Sequence, residues 1–318
     1  MNITVRQIEF KSTNEINTVF GWIYIPAEPA CGIVQIVHGM AEHMGRYHEM
    51  MRFLAQNGYI ACGIDHIGHG RSALDEQYGF LGEKDGWKTL IDDQYKFHKI
   101  VHTELPDKRH PVLLGHSMGS FIARLYAAKY PQSISGLVLS GTARGGLKVE
   151  LALKAASHSI KKNGVHFIDR DLDRLVFGGF NDRFKPIASG HEWLSRDPDH
   201  VRQYSEDPKC GFKFTASALY DLFLLISKAN DRTCFQAFAK DLPILLISGS
   251  MDPVGEYGKG PAQVYSRYIK AGVADVEMVV YEGGRHEPFH ELNRDQVVEE
   301  LLGWLNNHLG GSEKSDFE

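Results

Sequence analysis

The chain has 318 residues, of which 43% are hydrophobic and 24% are charged, and its formal net charge at pH 7 is −5. This composition is ordinary for a globular protein with a sizeable core, and the absence of a basic face or a Lys/Arg run argues against a nucleic-acid partner. No apolar stretch approaches the roughly 18 residues that a bilayer-spanning helix needs, so no transmembrane segment is expected.

The N-terminus and the cysteines indicate a cytoplasmic protein. Residues 1–10 lack a basic segment followed by an apolar block, so they predict a strand and not a signal peptide. The four cysteines, at positions 31, 62, 210 and 234, are scattered and form no CxxC pair. We therefore expect reduced thiols in a cytoplasmic protein.

Short apolar segments rich in β-branched residues recur along the chain and predict strands. Their ranges are 3–10, 19–25, 33–37, 59–64, 112–114, 137–139, 244–247 and 276–281. Helical patterns lie between most of them, at 47–57, 87–103, 121–130, 262–271 and 295–309. Continuous apolar strands that alternate with helices predict an α/β fold: a mostly parallel sheet of about eight strands with helices on both faces. The first two strands, with Asn14 between them, should form an antiparallel hairpin at one edge.

The alternation stops between residues 143 and 233. That stretch carries helical patterns at 147–162, 169–177 and 214–229. We predict a core made of residues 1–142 and 236–318, interrupted by a helical cap, residues 143–235, inserted between two strands. The last of these patterns is apolar around most of its circumference, which favours packing on the main domain, lining of an acyl-chain site, or both.

Residues 115–119 read Gly-His-Ser-Met-Gly, between a predicted strand and a predicted helix. Strand, tight turn and helix with a central serine make the context that a G-x-S-x-G nucleophile elbow requires. Side chains at 115 and 119 would collide with the strand and the helix, and the strained turn favours residues without Cβ. Ser117 is therefore the candidate nucleophile.

Two residues further along the chain have the properties of partners for this serine. A serine hydroxyl is a weak nucleophile until a base accepts its proton, and the base needs an acid that orients it. Asp252 follows the strand at 244–247, and His286 follows the strand at 276–281. Because the order Ser, Asp, His at successive strand ends is the required one, we interpret Asp252 as the orienting acid and His286 as the base.

Other interpretations compete for both partners. Asp252 precedes Pro253, and Asp-Pro also favours plain turns, while His286 is one of 16 histidines and is alternatively a surface residue. Asp275 and Glu282 are nearby acids that compete with Asp252. Asp275 precedes its strand, so it should lie at the wrong end of the sheet.

The oxyanion that forms on an attacked carbonyl needs backbone N–H donors. One candidate is the N–H of Met118, which follows the candidate nucleophile at the start of a helix, where the helix dipole also helps. The other is expected on the loop after the third strand, which reads His38-Gly39-Met40. Gly39 lets the backbone turn inward, and Met40 is the candidate second donor.

With these sites in order, the chain resembles the α/β-hydrolase superfamily, and within it the monoacylglycerol lipase and lysophospholipase branch of serine hydrolases. The elbow is typical of the superfamily, whereas two other blocks are more specific to the branch. The residues that carry the likeness are 38–43 with 46–47, 65–72, 115–120, 252 and 286.

The resemblance implies an α/β-hydrolase fold in which residues 143–235 cap the acyl site. It implies Ser117 as nucleophile, His286 as base and Asp252 as orienter, with Met40 and Met118 as oxyanion donors. The expected activity is hydrolysis of lipid-like esters, monoacylglycerols or lysophospholipids. The alternatives are an aryl or short-chain carboxylesterase similar to feruloyl esterases, or a hydrolase-like binding protein without catalysis.

No cofactor or metal is expected, and the expected partner is a small ester, with an apolar acyl chain favoured. Transient contact of the cap with a membrane surface stays open, as does the oligomeric state. Residues 286–290 fit H-E-x-x-H, but zinc chemistry would need them on one helix, and Pro288 is unwelcome there. The better helix start is Asn293, with Gln296 three residues on.

A second competing motif is the G-x-G-x-x-A pattern at residues 68–73. A dinucleotide site would need a helix to open directly from it, whereas further glycines precede the next helical pattern at Trp87. His66 and His69 beside Asp65 resemble ligands, but we favour hydrogen-bonded loop residues that frame the site.

Overall fold

The computed structural model describes residues 2–74, 77–105 and 109–309, and in these residues eight strands form one sheet in the order β1-β2-β4-β3-β5-β6-β7-β8. β1 pairs antiparallel with β2, and β2 pairs antiparallel with β4. All other neighbours are parallel. The predicted α/β fold, its strand number and its antiparallel edge hairpin are therefore confirmed.

The strand bounds lie close to the predicted ones. The strands are β1 (Thr4–Lys11), β2 (Thr18–Ile25), β3 (Gly32–Val37), β4 (Tyr59–Ile64), β5 (Val112–His116), β6 (Gly136–Ser140), β7 (Ile244–Gly249) and β8 (Val276–Tyr281). Every residue of β3 to β7 is buried, because helices cover both faces.

Ten α-helices fall within the described residues. They are α1 (His48–Gln56), α2 (Gly86–Glu104), α3 (Met118–Lys129), α4 (Leu147–Asn163), α5 (Arg170–Phe177), α6 (Pro198–Glu206), α7 (Ala216–Ala229), α8 (Arg232–Gln236), α9 (Lys259–Lys270) and α10 (Arg294–Leu309). α1 and α10 pack on one face of the sheet, and α2, α3 and α9 pack on the other.

Five helices, α4 to α8, stand between β6 and β7, which are parallel neighbours in the sheet. The sequence predicted only three of them and missed α6 and α8. The missed signals are aspartates at the helix starts: Asp197 accepts from the Asp199 N–H at 3.0 Å before Pro198, and Asp231 accepts from the Thr233 N–H at 2.8 Å.

The apolar helix α7 packs on the main domain. Its side chains Leu219, Leu222 and Leu225 are buried in the same core as the inner face of α3. The fully buried Arg124 of α3 donates to the Ala229 carbonyl at the end of α7, where unpaired carbonyls accumulate. The packing interpretation of this apolar helix is therefore confirmed.

α3 approaches β3 most closely at Gly119. A Cβ on this residue would lie 2.0 Å from the carbonyl oxygen of Val37 and 2.6 Å from that of His38. Gly115, at the end of β5, is equally confined, since its Cβ would lie 2.4 Å from the Gly119 carbonyl oxygen. Both glycines are required by packing, as the sequence predicted.

We expect Gly119→Ala to lower the free energy of unfolding by about 1–3 kcal/mol, because the added methyl must displace the backbone of β3. Urea denaturation followed by circular dichroism measures the change. Gly303→Ala is the matched control: Gly303 is an exposed helical residue of α10 whose added Cβ would meet no atom within 4 Å outside the adjoining helix backbone. Alanine there should stabilise by about 0.5–1 kcal/mol. Equal stability of the two variants would contradict the packing argument.

Candidate active site

Ser117 lies in the turn between β5 and α3. Its backbone has φ 52° and ψ −119°, a conformation that a side chain with Cβ adopts only under strain. The Ser117 N–H donates to the Ser140 carbonyl of the neighbouring strand β6 at 2.9 Å, which holds the turn against the sheet. The residue is half-buried.

The structure brings His286 and Asp252 to this serine. His286 Nε2 lies 2.9 Å from Ser117 Oγ, and His286 Nδ1 lies 3.0 Å from Asp252 Oδ1. Asp252 follows β7 and His286 follows β8, so the carboxyl ends of adjacent parallel strands deliver both side chains. The competing acids do not occupy this position: Asp275 Oδ2 lies 3.0 Å from His308, and Glu282 is an exposed residue at the end of β8.

The imidazole of His286 is confined on several sides. A Cβ on Gly141 would lie 2.9 Å from His286 Cε1, and the His116 ring lies 4.9 Å away between ring centroids. Sequence reasoning missed Gly141, although its φ of 59° and its place just after β6 follow the pattern of the other strand ends.

The electrostatics of the site favour the charged form of His286. Burial lowers the pKa of its imidazole, but the charge and hydrogen bond of Asp252 outweigh this effect, so the pKa is raised above its ordinary value. At the neighbouring His116, burial and the charge of His286 outweigh the attraction of Glu287 and hold the pKa well below the ordinary value. A base with a raised pKa that faces a hydroxyl can accept and return a proton near neutral pH.

Met118 and Met40 flank the serine. Met118 is the first residue of α3, where a helix leaves its N–H groups without intrahelical acceptors. Met40 follows β3 by three residues and is half-buried. Gly39 lies between β3 and Met40, and its added Cβ would be 3.2 Å from Ser117 Cβ. Both predicted donor residues therefore lie in the segments that adjoin Ser117.

A largely buried ion network connects the loop of Met40 with the loop of His286, and in the sequence only the i,i+4 spacing of Glu42 and Arg46 points to it. Arg46 donates to Glu42 Oε2 at 2.6 Å and to both oxygens of Glu287 at 2.7 Å. Glu42 Oε1 accepts from the Gly39 N–H at 2.5 Å. Burial raises the pKa of Glu287, but Arg46 outweighs it and holds the pKa well below the ordinary value.

A segment of the insertion, the strap (residues 192–197), lies along the loop that carries His286. The Trp193 carbonyl accepts from the His286 N–H at 3.3 Å, and the Leu194 carbonyl accepts from the Glu287 N–H at 2.8 Å. The Trp193 ring lies 5.1 Å from the imidazole of His286, between ring centroids. The strap is irregular, so no periodic pattern in the sequence could have revealed these contacts.

The zinc pattern at residues 286–290 is not arranged on one helix. Pro288–His290 forms a single 3₁₀ turn, and Glu287 pairs with Arg46. His286 and His290 use ring nitrogens for different partners, since His290 Nε2 lies 3.2 Å from the Arg46 carbonyl oxygen. α10 begins at Arg294, directly after the predicted cap Asn293.

The histidines beside Asp65 are hydrogen-bonded loop residues, as predicted. His66 Nε2 lies 3.1 Å from the His38 carbonyl oxygen, and His69 Nε2 accepts from the Ala41 N–H at 3.2 Å. Burial lowers the pKa of His66 to about 4 and that of His69 to about 3. The G-x-G-x-x-A pattern contains a 3₁₀ turn, and α2 begins only at Gly86.

Metal-binding potential lies elsewhere in the described residues. Three groups of His, Cys, Asp and Glu have donor atoms close enough to share an ion, and none includes Ser117, Asp252 or His286.

The cysteines at 31, 62, 210 and 234 are all unpaired. No helix in the described ranges is both long and apolar enough to span a bilayer.

Three comparisons place the chain among known proteins. The family model described as serine aminopeptidase S33, Hydrolase_4, matches residues 28–293. The chain is 28% identical to the monoacylglycerol lipase of Mycolicibacterium smegmatis, over 90% of this chain and 92% of that protein. It is 28% identical to human monoglyceride lipase, over 86% of this chain and 82% of that protein.

A solved structure is similar to this chain in both sequence and fold. The carboxyl esterase from Bacillus coagulans, determined in complex with glycerol, is 31% identical and superposes with a TM-score of 0.90, covering 96% of this chain and 99% of that one. The sheet order, the elbow and these matches agree. The chain belongs to the α/β-hydrolase superfamily, in the Hydrolase_4 family and its monoacylglycerol lipase-like branch.

Proposed function

We propose that this protein hydrolyses carboxylic esters through an acyl-enzyme on Ser117. The observation that carries the proposal is the continuous hydrogen-bonded chain from Ser117 Oγ through His286 to Asp252, with distances of 2.9 and 3.0 Å. A hydroxyl, a base within reach of its proton and an acid behind that base are the parts that nucleophilic acyl transfer requires.

In the acylation step, Ser117 Oγ attacks the ester carbonyl carbon while His286 Nε2 takes the hydroxyl proton. The carbonyl π electrons move to oxygen, and the N–H groups of Met40 and Met118 stabilise that oxyanion. The tetrahedral intermediate collapses, the C–O bond to the alcohol breaks, and His286 returns its proton to the departing oxygen.

In the deacylation step, His286 takes a proton from a water molecule, whose oxygen attacks the acyl-enzyme carbonyl. The second tetrahedral intermediate releases the acid and returns the proton to Ser117 Oγ. Asp252 holds the imidazole in the tautomer that presents Nε2 to the serine and stabilises the imidazolium formed in each step. These steps consume one ester and one water and need no cofactor.

The substrates we favour are monoesters with an apolar acyl chain, monoacylglycerols or lysophospholipids. The support is the likeness, over 82–92% of each chain, to proteins named monoacylglycerol lipase and monoglyceride lipase. We assign residues 143–235 as a cap over the acyl site. Leu147, Leu151 and Leu175 are exposed on its helices, which offers an apolar surface for transient membrane contact. A cytoplasmic location remains a prediction.

The second candidate is a carboxylesterase for short-chain or aryl esters. A specific observation favours it: the carboxyl esterase from Bacillus coagulans, which is 31% identical to this chain, matches it with a TM-score of 0.90. Both candidates share the chemistry proposed for Ser117 and differ only in the groups that the ester carries.

Ser117→Ala should lower kcat for p-nitrophenyl esters by roughly 10⁶-fold while the fold is retained, because no other group supplies the nucleophile. A fluorophosphonate probe should label the unmodified protein at Ser117 and leave the variant unlabelled. Ser266→Ala, an exposed serine of α9, is the control and should keep full activity. Unlabelled but folded wild-type protein would instead support a binding protein without catalysis.

Asp252→Asn should lower kcat by roughly 10⁴-fold and move the acidic limb of the rate profile to lower pH. Only neutral His286 accepts a proton, so kcat/KM of the native enzyme rises as pH increases through the raised pKa of that residue. Without the Asp252 charge, burial, which lowers the pKa of the imidazole, is opposed only by the weaker attraction of Glu287 and Glu42, so that pKa should fall. The pH dependence of kcat/KM measures the shift, with Asp241→Asn, an exposed residue, as control. An unmoved limb would remove Asp252 from its proposed role.

An ester panel separates the two substrate candidates. If the lipid-like assignment is right, kcat/KM for 1-monoacylglycerols should rise from short to long acyl chains, because each buried methylene contributes about 0.8 kcal/mol. p-Nitrophenyl esters of the same acids and methyl esters of aromatic acids complete the panel. A maximum at two to four acyl carbons, or preference for the aromatic acids, would favour the carboxylesterase.

A further inference from the structure

Three histidines lie together at the edge of the sheet opposite the carboxyl ends of its parallel strands. His98 and His102 are one turn apart in the second half of α2, so their side chains share one face of that helix. His110 belongs to the segment that leads into β5 and precedes that strand by two residues. The proposed reaction uses none of the three.

Each histidine offers one ring nitrogen, and these three nitrogens all lie within 4.8 Å of one another. The ring centroids of His98 and His102 are 4.2 Å apart, and those of His102 and His110 are 5.6 Å apart. In a tetrahedral site with metal–nitrogen distances of about 2.0–2.1 Å, ligand nitrogens are separated by about 3.3 Å. Side-chain rotations that move each nitrogen by about 1 Å would therefore bring the three nitrogens to the spacing of a tetrahedral site.

Hydrogen bonding orients one of these rings for metal coordination. His102 Nε2 lies 2.9 Å from the Arg109 carbonyl oxygen, which can only accept, so this nitrogen carries the proton. In the neutral ring the lone pair is then on Nδ1. A backbone carbonyl that accepts from the second ring nitrogen is the usual support of a metal-bound histidine.

The surroundings keep His98 in the form that binds metal. His98 is buried beneath the other two rings, and burial together with the charges that His102 and His110 would carry lowers its pKa to about 4. Its imidazole is therefore neutral at pH 7. Metal binding requires a deprotonated imidazole nitrogen, and His98 already offers one.

The backbone that presents His110 is itself held in place. Ser135, just before β6, donates its hydroxyl to the His110 carbonyl at 2.8 Å and its N–H to the Pro111 carbonyl at 3.0 Å. Arg109 donates to the Cys31 carbonyl at 2.7 Å. These bonds fix the His110 backbone beside α2, so much of the ordering cost of the site is already met.

We propose that His98, His102 and His110 form a binding site for a divalent transition metal ion, with zinc as the ion that suits three imidazoles and an open fourth position best. Imidazole nitrogens favour zinc, copper and nickel over magnesium and calcium. The bound ion joins α2 to the segment that enters β5, and its role is structural.

The location separates this site from the proposed chemistry. The five residues of β5 lie between the His110 segment and Ser117, and an extended strand rises about 3.3 Å per residue, which gives a separation of about 17 Å along the strand. The metal site can therefore be tested without reference to ester hydrolysis, and failure of either proposal leaves the other intact.

The test is titration of the metal-free full-length chain with Zn²⁺ by isothermal titration calorimetry. The native chain should bind one equivalent at this site. His110→Ala, which alters an exposed residue, and His102→Ala should each weaken that binding by at least about tenfold, since loss of a ligand costs no less than loss of an outer-sphere partner. His158→Ala removes an exposed histidine of α4 and should bind like the native chain.

Thermal unfolding supplies the second readout. Excess Zn²⁺ should raise the Tm of the native chain and of His158→Ala, because an ion that binds only the folded state stabilises it. The Tm of His110→Ala should rise clearly less. Circular dichroism of the metal-free variants verifies that they fold. Absence of zinc binding, or equal affinity in the native chain and His110→Ala, would overturn the proposal.

Discussion

The geometry of the site depends on the ion pairs of Arg46, whose side chain is only 10% exposed. Its guanidinium lies between two buried carboxylates, Glu42 and Glu287. Glu42 also accepts from the Gly39 N–H, and Glu287 is the chain neighbour of His286. Charges without partners in such a place cost several kcal/mol each, so neither loop can leave the other without a large penalty. The segment of the proposed oxyanion donor Met40 and the segment of the proposed base are therefore fixed relative to each other.

The insertion contributes to this arrangement from the other side. The strap supplies the carbonyls that accept from the His286 and Glu287 N–H groups, and the Trp193 ring lies against the imidazole. Arg196 in the strap also pairs with the buried Glu291 at 2.8 Å. A displacement of the strap would break backbone bonds next to the base. Residues 192–197 therefore help to hold the loop that carries His286, although they lie within the insertion.

The sequence predicted the parts of the fold that repeat and missed those that depend on single contacts. Buried strands have a clear apolar pattern, and each candidate residue follows a strand end, so Ser117, Asp252 and His286 could be placed together without coordinates. The start of α3 was predicted at 121 because Gly119 and Ser120 are weak helix formers, yet the elbow forces the helix to begin at Met118. The strap has no periodicity, and the sequence shows only the i,i+4 pair of Glu42 and Arg46 from the Arg46 network, because tertiary packing creates the remaining contacts.

The strand β5 connects the strained turn of Ser117 at one end with the hydrogen-bonded segment of His110 at the other. At its carboxyl end, Ser117 occupies a strained conformation with φ 52°, which persists only if the neighbouring backbone holds it. At its amino end, the segment of His110 is bonded to the approach to β6 and lies against α2. Strain at one end of a strand is tolerated when the rest of the strand cannot shift to relieve it. Hydrogen bonds that anchor the entry of β5 therefore support the strained turn at its exit without any contact to the reacting atoms.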